Sequence, residues 1–196
     1  MVPDARIPVV CVAISLAIAI SIMLGGTSDQ LEFGNSRCLL FVENYHLVGT
    51  SWIFDANSLM CSAVVSFASI DLLLLAAVVL GYFLLVRNGS VPKLYLKYNI
   101  FFFLAWATIS FVVAIVFTAG LGQTCKQFQT NSAGSSCGTI FANGFFENNV
   151  VGSGKNLMTA NAAMGASYVV ALGWIAVAGM MWNEWRTYSE KWWTSV

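Results

Sequence analysis

Asp71 raises the sharpest chemical question in this chain: it lies in Ser69-Ile70-Asp71-Leu72-Leu73, near the middle of a long apolar run. An acid at the centre of a bilayer costs at least about 2.5–3.5 kcal/mol, so it has to face a bundle interior or a polar group on another subunit. The plainest reading is a protonated carboxyl hydrogen-bonded to Ser15, Ser110, Asn161 or Ser167. The functional readings make it a docking charge for a basic helix of a partner, or part of an ion pathway. No other apolar run holds a Lys or Arg near its middle to answer it. The inverted repeats and broken helices that mark transporters are missing, which counts against conduction.

Other chemistry is hard to assemble. His46 is the only histidine, and it sits among aromatic and apolar residues with no Ser or Cys motif around it. There is no phosphate-binding glycine pattern, zinc spacing or paired intramembrane carboxylate. The sequence predicts no catalytic residue, no metal and no cofactor, hence a non-enzymatic protein. Of the five cysteines, Cys38, Cys61, Cys125 and Cys137 fall on the predicted outer side, where an oxidising compartment makes pairing the default. Four cysteines allow three connectivities. Cys38–Cys61 with Cys125–Cys137 is favoured, because each pair closes a loop between helix ends that a bundle already holds close. Cys11 is left over and reads as an ordinary buried thiol, with palmitoylation as the alternative.

These residues need elements to place them, and composition says which. The 196 residues are 58% hydrophobic and only 9% charged, with a mean hydropathy of +0.75; soluble domains carry about 25% charged residues. Net charge is zero and there is no basic block, so nucleic acid is not an expected partner. Four runs, about 7–24, 61–86, 98–121 and 157–182, approach or exceed the roughly 20 residues a helix needs to cross a bilayer. Backbone groups must be satisfied within lipid, so these are helices. The first is expected to be retained, because its cleavage signal is weak and Asp4 dilutes a basic leader. The predicted fold class is an all-α membrane protein: a single four-transmembrane-helix bundle over 1–196 with small disulfide-braced extracellular loops.

Arg6, Arg87, Lys93, Lys97, Arg186 and Lys191 lie in short segments on one side, against Arg37, Lys126 and Lys155 in the longer loops. That bias places both termini in the cytoplasm of a multi-pass protein, with the plasma membrane as the expected compartment. Asn88-Gly89-Ser90 fits a glycosylation pattern but falls in the cytoplasmic turn, where Gly89 and Pro92 read as helix breakers. Trp182, Trp185, Trp192 and Trp193 read as anchors at the inner interface, with docking on a partner as the rival reading. The first outer loop, about 25–60, holds apolar runs between turn signals and can carry a short β-hairpin. The second, about 122–156, is rich in Gly, Ser and Asn, with a middle that reads as flexible. Phe141, Phe145 and Phe146 in it either cap the bundle or face a partner.

The fourth run reads Asn161-Ala-Ala163-Met-Gly165-Ala166-Ser167 and goes on to Ala171, Gly173, Ala176, Ala178 and Gly179; small residues at such spacing allow close helix approach, most of it for packing within the bundle and part for another protein. Asp71, Asn161 and Gly165 are therefore the candidate partner contacts.

The topology matches the claudin and channel gamma-subunit group, but its Trp-Gly-Leu-Trp stretch is missing, as is the Cys-Cys-Gly of tetraspanins. Arg37-Cys38-Leu39-Leu40-Phe41 with Glu43, Cys61 opening a helix with Leu72 to Ala77, Cys125 and Cys137 after the third run, and a fourth run ending in Trp and Tyr resemble the transmembrane protein 179 family. The tail is shorter and the first loop more compact than that family's. The resemblance implies a non-enzymatic tetraspan protein. The expected function is an accessory or scaffolding subunit of an ion channel or receptor complex. The alternatives are a self-assembling adhesion or junction component, or a small channel or proton-linked carrier using Asp71. Expected partners are the lipid bilayer and a larger membrane complex, or a homo-oligomer.

Overall fold

The computed structural model describes residues 6–33, 37–48, 51–55, 58–88, 93–131, 136–143 and 156–193. Four long helices carry the chain: α1 (Arg6–Gln30), α2 (Ser58–Asn88), α3 (Lys93–Asn131) and α5 (Leu157–Trp193). A short helix, α4 (Cys137–Asn143), lies between α3 and α5. All four long helices are long and apolar enough to cross a membrane. Even α1, at 25 residues, rises about 37 Å, more than the ~30 Å of a hydrocarbon layer.

The helices overrun the expected boundaries. α1 continues past residue 24 to Gln30, and α3 continues ten residues past 121 to Asn131. Cys125 therefore sits on α3 and not in a loop. Gly25, Gly26 and Gly122 do not stop these helices, because packing against neighbours outweighs a penalty of about 1 kcal/mol per glycine. α2 ends at Asn88 and α3 begins at Lys93, on either side of Gly89 and Pro92. The middle of the second loop holds α4, capped by Ser136, whose Oγ accepts the Thr139 N–H at 3.2 Å. Asn156 caps α5 in the same way, accepting from Met158 N–H at 2.8 Å. Phe145 and Phe146 lie outside the described residues.

Each long helix buries a narrow stripe. On α2 it is Cys61, Val64, Ala68, Asp71 and Leu75; on α3 it runs through Phe103, Ala107, Ser110, Ala114, Phe117, Leu121, Thr124 and Phe128. On α5 it is Ala160, Ala163, Ser167, Val170, Trp174 and Val177. The alternating steps of three and four are the 3.5-residue seam of helices packed nearly along one another. α1 packs on both α2 and α5, and α5 packs on α3. A Cβ on Gly26 would meet Ala163, and one on Gly173 would meet Leu16. As α1 advances α5 retreats, so the two are antiparallel and touch almost backbone to backbone.

The first loop pairs strands in short pieces. β1 (Glu32–Phe33) is antiparallel to β2 (Arg37–Cys38), and β3 (Glu43–Val48) to β4 (Ser51–Asp55). The β3–β4 register shifts between Glu43 and His46, where Asn44 has φ 52°. Asparagine tolerates that left-handed backbone well. Between the strand pairs, Leu39–Val42 is laid on the end of α3. Phe41 N–H donates to the Gly120 carbonyl at 3.2 Å and Leu39 N–H to that of Leu31 at 2.9 Å. The Thr124 hydroxyl stands 2.7 Å from the Leu39 carbonyl and accepts the Val42 N–H at 3.2 Å. A Cβ on Gly120 would come within 2.7 Å of the Phe41 ring, so only glycine lets the segment lie this close.

Candidate functional site

Asp71 occupies a core position in the α2 stripe and is fully buried, at 0% exposure. The residues that answer it are not the expected ones. Trp106 Nε1–H donates to Asp71 Oδ1 at 2.7 Å, and Trp174 Nε1–H donates to the same oxygen at 2.9 Å. Ser110 and Ser167 are buried, but their hydroxyls bond back to the carbonyls of Trp106 and Met164 in their own helices. Ser15 and Asn161 are exposed. The serines lose this contest to geometry. A serine hydroxyl in a helix reaches its own i−3 or i−4 carbonyl, whereas an indole N–H projects far enough to cross to the next helix.

Three helices thus meet at one carboxyl oxygen. The backbones of α3 and α5 are in close contact, as are those of α1 and α2, while α2 and α3 are joined mainly through side chains. Phe67 of α2 stacks on Trp106 with centroids 5.3 Å apart and planes 11° from parallel. Phe102 also stacks on Trp106, at 6.2 Å and 15°. Trp174 is held from the other side by Phe103, at 5.4 Å and 3°. Stacked indoles with fixed planes aim their N–H groups, so Asp71 Oδ1 meets preset donors. No described residue bonds Asp71 Oδ2, which is itself buried.

The other predicted residues sit apart from this centre. Cys38 pairs with Cys61 and Cys125 with Cys137, the pairing favoured on loop closure. Both bonds brace the end of the bundle where the first loop docks. The first ties β2 to the opening turn of α2, and the second ties α3 to α4, setting Phe141 edge-on to Phe128 at 6.0 Å. Phe141 is fully buried and so caps the bundle. Cys11 is exposed and not buried as expected, because it lies on the outward side of α1 with Val10 and Ile14. Asn161 and Gly165 lie on the outward face of α5, four residues apart. Trp182 is exposed, with its ring 5.1 Å from that of Trp185. The side chains of Trp192 and Trp193 lie outside the described residues. His46 is exposed on β3, its Nδ1 against the Asn44 carbonyl, and Asn44 in turn donates to Asp55 at 2.8 Å.

That Asp71 faces the bundle interior was legible; Trp106 and Trp174 were not singled out, since nothing local marks an indole within an apolar run. Their signal was the donor inventory: indole is the one aromatic side chain that can only donate. The arrangement defines a helical-bundle protein with a polar centre that crosslinks helices. The chain matches no family model, no curated protein and no solved structure.

Proposed function

We propose that this chain is a non-enzymatic multi-pass membrane protein of the plasma membrane that serves as an accessory or scaffolding subunit of an ion channel or receptor complex. The observation that carries the reading is the outward face of α5. There Asn161, Gly165, Ala176 and Gly179 are exposed on one side of the helix, with Val169, Leu172 and Ile175 exposed among them, and a Cβ on either glycine would meet nothing within 4 Å. In lipid, small residues and amides on an outer face favour close helix approach, while leucine serves equally well against acyl chains. The enclosed carboxylate supports the same reading, because conduction through Asp71 needs a wetted path to it. The likeness to the transmembrane protein 179 family agrees with a non-enzymatic role.

Both disulfides belong to the end that bears the first loop, and Lys97 and Arg186 belong to the other. Oxidising chemistry outside and basic residues inside give one orientation by two independent arguments, with the termini cytoplasmic. Trp182 and Trp185 then lie at the inner interface as anchors.

The test is purification of the tagged protein from its own tissue in mild detergent, with native mass and subunit identification. A stoichiometric complex with a larger membrane protein, lost in Gly165→Leu, is the expected result. A homo-oligomer alone would refute the accessory role and favour adhesion.

A further inference from the structure

The two partners of Asp71 are not equivalent. Trp174 is fully buried, whereas Trp106 is only partly buried and belongs to the seam between α2 and α3. That seam is built from side chains. Phe67 and Leu74 of α2 are partly buried a turn on either side of Asp71, and exposed Phe102 of α3 stacks on Trp106. Trp106 is therefore the group that stands between the carboxylate and the bundle surface. Behind it lies a buried oxygen, Oδ2, that no described residue bonds. Asp71 also falls at the middle of its span, Leu59–Leu84.

We propose that the α2–α3 seam is a docking groove for a transmembrane helix of a partner protein carrying a lysine or arginine near its middle, the cation taking the free Asp71 oxygen as Trp106 gives way. The inference rests on the accessory-subunit reading and names the kind of partner. Charge complementarity selects the occupant. A cation pairs with the acid's charge as well as with its lone pair, which a neutral indole N–H cannot do, and exclusion of water strengthens the attraction. A second copy of this chain cannot be the occupant. Its spans hold Lys97, Lys126 and Arg186 only toward their ends, at depths that do not meet Asp71. A purely apolar helix would pack on Phe67, Leu74 and Phe102 but leave Oδ2 unanswered. Phe67 and Phe102 supply an apolar wall for the partner helix, and Trp106, only partly buried between them, is the side chain that must swing aside to uncover the acid.

The test uses the full chain in lipid nanodiscs and synthetic Leu-Ala transmembrane peptides with one central residue varied, with binding read by energy transfer. The central-Lys peptide should bind at least about tenfold tighter than the central-Leu peptide. Asp71→Asn should bring the two peptides level. Trp106→Phe keeps the stack and removes the competing N–H, so it should tighten Lys-peptide binding several-fold; a merely structural role predicts no gain. Equal binding of the Lys and Leu peptides to the unmodified protein overturns the proposal, and so does weakened Lys binding in Trp106→Phe. Those two readouts decide the matter even if Asp71→Asn fails to fold. A native complex that crosslinks through Gly165 but never through Leu74 overturns the seam and leaves the accessory reading standing. Preferential uptake of a neutral lipid in place of the Lys peptide overturns it too.

Discussion

The bond from Trp174 to Asp71 can be weighed by a double-mutant cycle. Trp174→Phe removes the N–H and part of a ring that is fully buried against Phe103. Its total effect therefore mixes a lost hydrogen bond with a packing defect, and large-to-small changes in a core cost about 3–5 kcal/mol at the extreme. Asp71→Leu removes the acceptor and keeps the branched four-atom shape of the side chain. Trp174→Phe repeated in that background has the packing loss without the bond, so the difference gives the coupling of the pair, including the cost of an indole N–H left unpaired. Interhelical bonds in membrane proteins average about 0.6 kcal/mol and reach about 1.7, whereas bonds to charged groups in proteins run about 1.5–3. With a 2.9 Å contact inside a fully buried site, the coupling should fall near the overlap, about 1–2 kcal/mol. Because Trp106 donates to the same oxygen, either donor partly covers for the other. Losing both should therefore cost more than the two single losses added. The assay is reversible unfolding in mixed lipid–detergent micelles, followed by circular dichroism as the denaturing detergent fraction rises. A Trp174–Asp71 coupling below about 0.3 kcal/mol, within the usual error of additivity, would refute the crosslink and reduce both tryptophans to packing.

Three further outcomes follow from close contacts. Gly26→Ala would place a Cβ 2.6 Å from that of Ala163; it should destabilise the bundle by about 1–3 kcal/mol, and Ala163→Gly should restore most of the loss in the same unfolding assay. Thr124→Val leaves the Val42 N–H and Leu39 carbonyl without their buried partner, a cost of about 1–3 kcal/mol. Hydrogen exchange should then show Leu39–Val42 opening while α5 stays protected. Replacing Cys125 and Cys137 together by Ser opens a loop with a sequence separation of 12, worth about 3 kcal/mol of chain entropy. Protection of α4 should fall first, and unchanged exchange there would mean that Phe128 and Phe141 hold it without the bond.

The number of long helices and the cysteine pairing were legible because they rest on length and loop closure, which composition and spacing report directly. The inward faces were not. In a soluble helix the apolar stripe marks the core, but α2 is apolar all round: Leu72 and Leu73 are exposed while Ala68 and Leu75 are buried. Polarity cannot assign those faces, so the partners of Asp71 could be guessed only from the polar residues nearby. The extension of α3 to Asn131 was hidden for a related reason. Thr124, Cys125 and Gln127 look like loop residues, yet Thr124 is buried and Cys125 is fixed by its disulfide. Tertiary contacts keep that stretch helical where local propensity alone would let it fray.

Why an acid should be kept where leucine would fill the space follows from how α2 is held. Apolar helices in lipid have no hydrophobic drive toward one another, so shape and directed bonds must set their register. α2 packs on α1, and its link to α3 and α5 at mid-length runs through Asp71. A slip of one turn moves the carboxylate about 5.4 Å and breaks both indole bonds together. The Cys38–Cys61 bond fixes the same register from the end of the helix, but only after the first loop has docked and oxidised. The two devices thus fix one register from two points along α2, the carboxyl at mid-length and the disulfide at the opening turn. In Asp71→Leu, the yield of correctly paired Cys38–Cys61 during assembly should fall even where the finished protein is stable, as peptide mapping without reduction would show. Full pairing in that variant would mean that docking of Leu39–Val42 on α3 sets the register alone. Asp71 would then answer to the α2–α3 seam and not to assembly.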